Sequence, residues 1–325
     1  MRTRITRVHG HELQELGRLV NDSWCGESAL VLGSEGQGGW NSITLLATTP
    51  EQSYLLKLPT LKGPFREHPY AHEYKVMGFL CRKGLCPKPV QLGRLKDDRH
   101  TPFIILEYID GTVPSTLEAI SAVNFRMLDR TLSILSKLHP PGIPSYRKPS
   151  DYLANIAALV HRIRGGAVQL PLEMIGILES YDRAVEALDE SIDASCVWSG
   201  NTMHGDLQES NMVLQSDRVL LLDMGSCCIG EPLYDLAYLL SQAEGSTQCR
   251  LPEALVKSPS QVNDIEALRP LALLSAIGWS IGFLVSLERG MVEPNLAGPE
   301  VGPKVLAYVN DKMDIMRSYL GHIDV

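Results

Sequence analysis

The chain of 325 residues has no CxxC pair, no internal repeat and no low-complexity tract, and each absence removes a class of protein. Its seven cysteines, at 25, 81, 86, 196, 227, 228 and 249, form an odd and scattered set. That argues against a structural zinc site and against a disulfide scaffold. The adjacent Cys227 and Cys228 read as small apolar packing residues. Basic residues are not in excess: 30 Lys and Arg stand against 38 Asp and Glu, a net charge of −8. This balance weakens the case for a nucleic-acid partner and suits a cationic small substrate. The amino terminus, MRTRITRVHGHELQEL, is basic but lacks the apolar stretch of a signal peptide, so a cytoplasmic location is expected. From Leu271 to Leu287 there are 17 consecutive residues without a formal charge, at the short edge of a membrane span. Three serines and two glycines interrupt that run and no second segment accompanies it, so a buried helix is expected and a membrane is not.

What is present is an ordinary globular composition, 44% hydrophobic and 21% charged, long enough for two domains or one large core with insertions. Residues 29 to 58 alternate between short apolar runs and turns: ALVLG, SEGQGGWN, SITLLAT, TPEQ and SYLLKL. They predict three antiparallel strands, with the glycine-rich stretch as a turn. A helix is expected over 69–82, then strands near 89–95 and 102–109. Beyond these the pattern becomes helical. Leu128, Leu132, Leu135 and Leu138 recur at helical spacing, so 117–139 should lay one apolar face on a core. Further helices are expected at 171–190, 233–243, 264–288 and 300–320, strands and loops at 200–230, and a loop over the proline-rich run 139–149. The boundary falls near 107–112. It divides an expected lobe of residues 1–108 from a larger one of residues 109–325.

The chemistry concentrates in MHGDLQESNMVLQSDRVLLLDMGSCCIGEPLYDLAYLL, residues 203–240. MVLQ and RVLLL flank a polar turn at Ser216 and Asp217, a hairpin signal. Asn211 precedes its first strand and Asp223 follows its second, so the two stand side by side at one end. An amide oxygen beside a carboxylate suits a hard divalent cation such as magnesium. Asp206, five residues before Asn211, is close enough to serve the same centre. A carboxylate there can accept or orient the proton of an attacking hydroxyl.

HGDLxxxN (His204 to Asn211), then Asp223 after an apolar strand, then GxPxxDLA (Gly230 to Ala237) resembles the aminoglycoside phosphotransferase/choline kinase-type family. The resemblance covers roughly residues 28 to 290 and is sharp only between 204 and 240. It implies an α+β, two-lobed protein kinase-like fold with a small antiparallel-sheet lobe and a larger, mostly helical one. It also implies an enzyme that uses ATP and magnesium. By that likeness Asp206 is the catalytic base and Asn211 and Asp223 hold the metal. His204 and Asp235 match the family residues that brace the catalytic loop and the following helix, although His204 can also be read as an acid or base. Lys57, at the end of SYLLKL, and Glu73, on the next helix, match a lysine that contacts the inner phosphates and the glutamate that holds it. Gly36, Gly38 and Gly39 could pass closely over phosphates, though they do not spell GxGxxG. Glu107, Tyr108 and Ile109 fall where such a fold passes between lobes, where the backbone would meet the adenine edge.

The acceptor is less legible. Family members phosphorylate hydroxyls of aminoglycosides, choline, ethanolamine, homoserine, methylthioribose and other small compounds. The acidic balance favours an amine-bearing acceptor, an aminoglycoside-like sugar first, with choline, homoserine or methylthioribose types as alternatives. Glu209 and Glu231 could attract an amine or could be solvated loop residues. Trp198, Tyr234, Tyr238 and Trp279 could offer an aromatic surface to a quaternary ammonium, with ordinary packing preferred. A protein-modifying kinase fits poorly, because only six residues separate Asp223 from Gly230. A non-catalytic nucleotide-binding relative should lack Lys57, Asp206, Asn211 or Asp223, and all four are present. A monomer or homodimer is expected.

Overall fold

A computed structural model describes residues 3–38, 42–63, 65–164, 171–242, 252–293 and 300–321. The chain divides into two compact units, one of residues 1–110 with 286–302 and one of 111–285 with 303–325. The expected boundary near 107–112 is therefore joined by two further crossings, because the segment linking the last two long helices belongs to the first unit.

The first unit opens with three two-residue strands, β1 (Thr3–Arg4), β2 (Arg7–Val8) and β3 (His11–Glu12), and helix α1 (Leu13–Asn21). It continues through β4 (Val31–Gly38), β5 (Ser42–Thr48), β6 (Ser53–Pro59), helix α2 (Ala71–Leu80), β7 (Pro89–Arg94) and β8 (Pro102–Glu107). The main sheet runs β1-β4-β5-β6-β8-β7, with every neighbouring pair antiparallel. In β5 the apolar residues alternate, so Ile43, Leu45 and Ala47 turn inward together. They meet Leu56, Leu58, Phe103 and Ile105 of the neighbouring strands and Leu16 and Val20 of α1, and these residues form the core. Neither α1 nor the three short strands was expected from the sequence.

One expectation needs correction. The glycine-rich stretch does not leave the strand after Gly33, because β4 continues to Gly38. Gly36 and Gly38 pair with Leu45 and Ile43 of β5 after a register shift, and Gly36 also pairs with Thr3 of β1. Partners on both sides satisfy the backbone and outweigh the low strand preference of glycine. Gly39 lies outside the described residues.

The second unit is mostly helical: α3 (Ala122–Leu135), α4 (Pro149–Arg164), α5 (Leu172–Asp189) and the single turn α6 (Ile192–Ser195). Short strands β9 (Asn201–Met203), β10 (Met212–Leu214), β11 (Val219–Leu221) and β12 (Cys228–Gly230) follow, then α7 (Leu233–Gln242), α8 (Pro259–Glu288) and α9 (Val301–Leu320). Ser121 caps α3 by accepting from the Asn124 amide, so this helix starts later than the leucine spacing suggested. The 16-residue α4 was not expected.

The uncharged run 271–287 lies inside α8, the one described helix long and apolar enough to cross a membrane. Of its most apolar window, 83% is buried inside the protein. From Leu268 to Val285 every residue but Trp279 is buried, so this helix is apolar nearly all round because protein covers it. Cys227 and Cys228 are buried, as packing residues should be, and burial raises both thiols well above their ordinary range.

Candidate active site

In the first unit the expected phosphate-binding lysine stands on the central strand β6, opposite Thr44 of β5 and Ile104 of β8. Its Nζ donates to both carboxylate oxygens of Glu73 on α2, each at 3.0 Å. Both side chains are nearly enclosed, at 9% and 3% exposure. The Tyr70 ring centre lies 5.6 Å from the ammonium and closes another side. An ion pair this buried survives only because each charge answers the other. Glu107 ends β8, where its amide donates to the Lys88 carbonyl at 2.9 Å and its carboxylate accepts from the Lys88 amide at 3.3 Å. Ile109 follows, half-buried, outside the strand.

In the second unit, β10 and β11 form the expected hairpin, with Met212 opposite Leu221 and Leu214 opposite Val219. The ladder continues one step beyond the strands, where the Leu222 amide donates to the Asn211 carbonyl at 2.8 Å. Asn211 and Asp223 are thereby held at the same end. Asn211 Nδ2 donates to the Asp206 main-chain oxygen at 2.8 Å and to Asp206 Oδ2 at 3.0 Å. Its amide nitrogen thus ties down the loop, and the amide oxygen is the atom that could meet a cation. Asp223 has φ of +53°, a left-handed conformation that costs an ordinary residue about 1–2 kcal/mol. An amide oxygen and a half-buried carboxylate held together by the hairpin fit a hard cation such as magnesium.

The loop between β9 and Asn211 is braced from beneath. His204 is fully buried, and its Nε2 meets the Leu222 carbonyl at 2.8 Å while Nδ1 accepts from the Asp206 amide at 3.2 Å. Donor at one nitrogen and acceptor at the other describes a neutral imidazole, and burial lowers its pKa in agreement. Both nitrogens are committed to the backbone, so the geometry gives His204 a bracing place rather than an acid–base one. Asp235, on the first turn of α7, accepts from the amides of His204 and Gly205, each at 2.8 Å. Burial pushes its carboxyl up, to about 7, against the pull of those two bonds. Gly205 has φ of +82°, and a Cβ there would overlap the Ser226 carbonyl.

Sequence reasoning misplaced Glu231. It is buried rather than solvated, and its carboxylate accepts from the Ser199 amide at 2.8 Å and the Leu233 amide at 3.2 Å. It anchors the start of α7 and cannot also receive an amine. Glu209 differs: it is half-buried, and its pKa is raised by burial and by the Glu118 charge despite the opposing influence of Lys312. Tyr234 and Tyr238 are packed inside, in ring contact with each other at 5.9 Å, and Tyr234 meets Tyr152 at 5.1 Å. Trp198 joins the same cluster through Tyr152, whereas Trp279 is 42% exposed on α8. These contacts are ordinary aromatic packing.

A model of the phosphotransferase enzyme family matches residues 34–271. The chain belongs to that family. Among solved structures, this phosphotransferase is similar to the Plasmodium vivax ethanolamine kinase, with a TM-score of 0.64 and 15% identity over 89% of this chain and 83% of that one. A thermostable mutant of aminoglycoside phosphotransferase APH(4)-Ia superposes with a TM-score of 0.61 at 13% identity, covering 94% of this chain and all (100%) of its own. Choline kinase LicA from Streptococcus pneumoniae gives 0.58 at 15% identity, over 92% of this chain and 99% of its own. A search of curated proteins found no match. The fold is thus the two-lobed α+β kinase-like fold, with a small antiparallel-sheet lobe and a larger helical one. The protein is a phosphotransferase enzyme.

No motif pointed to Tyr308, on α9, which sits within electrostatic reach of Asp206 and Glu209 and donates to Gln242 Oε1 at 2.7 Å. A lone tyrosine far from the motif carries no signal of its own.

Proposed function

We propose that the protein transfers the γ-phosphoryl group of ATP to a hydroxyl of a small, amine-bearing acceptor. The observation that carries this reading is the joining of Asp206 to Asn211 beside Asp223, through the Asn211 side chain and the end of the hairpin. Asp206 is the base: it takes the proton of the acceptor hydroxyl as that oxygen bonds to the γ-phosphorus and the bond to the ADP oxygen breaks. The proton then passes to solvent, leaving a phosphate ester and ADP. Lys57, aimed by Glu73, holds the inner phosphates. Asn211 and Asp223 would hold magnesium, which when bound neutralises charge on the phosphate oxygens. We read the enzyme as cytoplasmic, where ATP is at hand.

For the acceptor, Glu209 is the half-buried carboxylate of the catalytic loop, with Glu118 in electrostatic reach. Together with the net charge of −8 this favours a cation, an aminoglycoside-like sugar before a choline-, homoserine- or methylthioribose-type metabolite. The test is a panel of these acceptors with γ-labelled ATP over a range of salt. Phosphorylation of an amine that weakens with added salt supports the reading. Efficient transfer to a neutral or anionic acceptor alone, with no response to any amine, would discard the cationic acceptor and keep the phosphotransferase. Glu209→Gln should raise the KM of an amine acceptor about tenfold and leave the KM of ATP unchanged.

A further inference from the structure

The hairpin of β2 and β3 turns in two residues, His9 and Gly10, between the paired Val8 and His11. Both have positive φ, +53° and +88°, as a type I′ turn requires. Asparagine before glycine is the pair that such a turn favours, and a hairpin tip ordinarily points to water. Here the tip residue points inward. The His9 side chain is fully enclosed, and what it touches accounts for a histidine in a left-handed place. Its Nε2 donates to the Pro59 carbonyl at 2.8 Å, since a carbonyl only accepts. Its Nδ1 stands 3.1 Å from Glu293 Oε1, a charge contact that is not aligned as a hydrogen bond. The His9 amide donates to Glu293 Oε2 at 2.9 Å.

These contacts join three parts of the sheet unit. Pro59 closes β6, two residues beyond Lys57. Glu293 belongs to the stretch bonded to the Thr60 carbonyl. Before the hairpin, the Ile5 amide donates to the Ser34 carbonyl at 2.8 Å, and in β1 Arg4 faces Glu35 and Thr3 faces Gly36. Ile5 and Val8 sink into the core shared by Ile43 and Leu58, so this strap lies on the core side of the sheet. Gly36 and Gly38 have no side chains with which to pack, so backbone pairing places that end of β4: β5 on one side, β1 on the other. A two-residue β1 cannot hold itself in place, and the hairpin behind it is its anchor.

We propose that His9 is a positioning residue for the nucleotide site: its ring clasps the amino-terminal strap to the end of β6, and the strap sets where the glycine-rich end of β4 lies relative to Lys57. The proposal rests on the reading of Lys57, Gly36 and Gly38 as phosphate-binding. His9 is enclosed and touches no nucleotide itself. A clasped β4 stays in the binding arrangement. A released one occupies it for a fraction of the time, and the apparent dissociation constant rises by the inverse of that fraction.

The full-length protein tests this by binding of a fluorescent ATP analogue with magnesium, phosphate release from MgATP, amide hydrogen exchange and thermal unfolding. His9→Asn keeps a residue suited to the turn and removes the ring. It should weaken analogue binding and raise the KM of ATP at least about fivefold, and leave kcat within about twofold of the parent. Amides of residues 34–38 should exchange faster in the variant. Glu293→Gln, which keeps both ring and turn, should move the same quantities in the same direction by less. The double variant should be no worse than His9→Asn alone, because both changes open one clasp. A His9→Asn protein with parental affinity, or with parental exchange at 34–38, overturns the proposal. So does one that loses only Tm, or whose kcat falls in step with its affinity, since each gives His9 a merely structural place. A parent that binds no analogue would instead remove the phosphate-binding reading, and this proposal with it.

Discussion

At the scale of single residues, two backbone conformations set what the candidate site tolerates. Asp223 is one of three described non-glycine residues with positive φ, and asparagine shares the tolerance of aspartate for that region. Asp223→Asn therefore changes charge without adding backbone strain. Phosphoryl transfer should fall at least about a hundredfold while the thermal midpoint stays within a few degrees, measured by γ-labelled transfer and by calorimetry on the same preparation. Gly205 gives the opposite case, because alanine adds both left-handed strain and overlap with the Ser226 carbonyl. Gly205→Ala should cost about 1–3 kcal/mol in urea unfolding and lower activity together with stability. At this scale the sequence was legible where chemistry comes as a spaced set. Asp206, Asn211 and Asp223 could be picked out because their spacing matches a hairpin and a motif. Glu231 could not, since nothing in GEP tells a reader that its carboxylate caps two backbone amides.

Among elements, the pairing of β6 with α2 makes its own prediction. Lys57 and Glu73 form a buried pair, so removing either partner strands a charge, at a cost of about 3–5 kcal/mol. Lys57→Ala should nevertheless lower kcat/KM for ATP more than Glu73→Ala, because in the proposed site the glutamate acts only by aiming the lysine. Steady-state kinetics on both variants checks the order, and equal losses would mean that stability alone is being read. The strands and helices with clear periodicity were legible: β5 through its alternation, α7 through DLAYLL, and α8 through its unbroken apolar run. Elements that were missed have weak local patterns. The short strands β1 to β3 are two residues each, and α1 mixes charge among its leucines. Gly36 and Gly38 were read as a turn because only the long-range pairing with β1 and β5 overrides their local preference.

Across the whole molecule, the segment 286–302 is the feature no local pattern announced. Its residues run alongside those following β6: the Glu293 amide donates to the Thr60 carbonyl at 2.9 Å and the Lys62 amide to the Met291 carbonyl at 2.7 Å. Glu293 then fastens the amino-terminal hairpin. Its Oε2 accepts from the His9 amide at 2.9 Å, and its Oε1 lies 3.1 Å from His9 Nδ1, an ion-pair contact in a buried place. Burial alone would raise the Glu293 carboxyl, but the His9 hydrogen bonds and charge, with Lys62 adding, bring it below its ordinary value. A carboxyl lowered on folding adds stability that is present above its unfolded value, near 4.5, and is lost as pH falls through the folded value. Unfolding midpoints in urea should thus decline as pH drops from about 6 to about 3.5, and Glu293→Gln should flatten part of that decline. An unchanged slope in the variant would remove Glu293 from the acid response.

The same segment decides how the gene can be cut. A chain that leaves the helical unit, pairs beside residues 60–62 and returns makes the sheet unit discontinuous in sequence. A fragment ending at Asp110 would bare the backbone of Thr60 and Lys62 and leave His9 without its carboxylate, so it should express as an aggregating or partly folded piece. Restoring residues 286–302 through a short linker should recover a cooperative unfolding transition. Any swap of the sheet unit with a relative has to carry this distant stretch with it, because the unit is encoded in two separate pieces of one coding sequence.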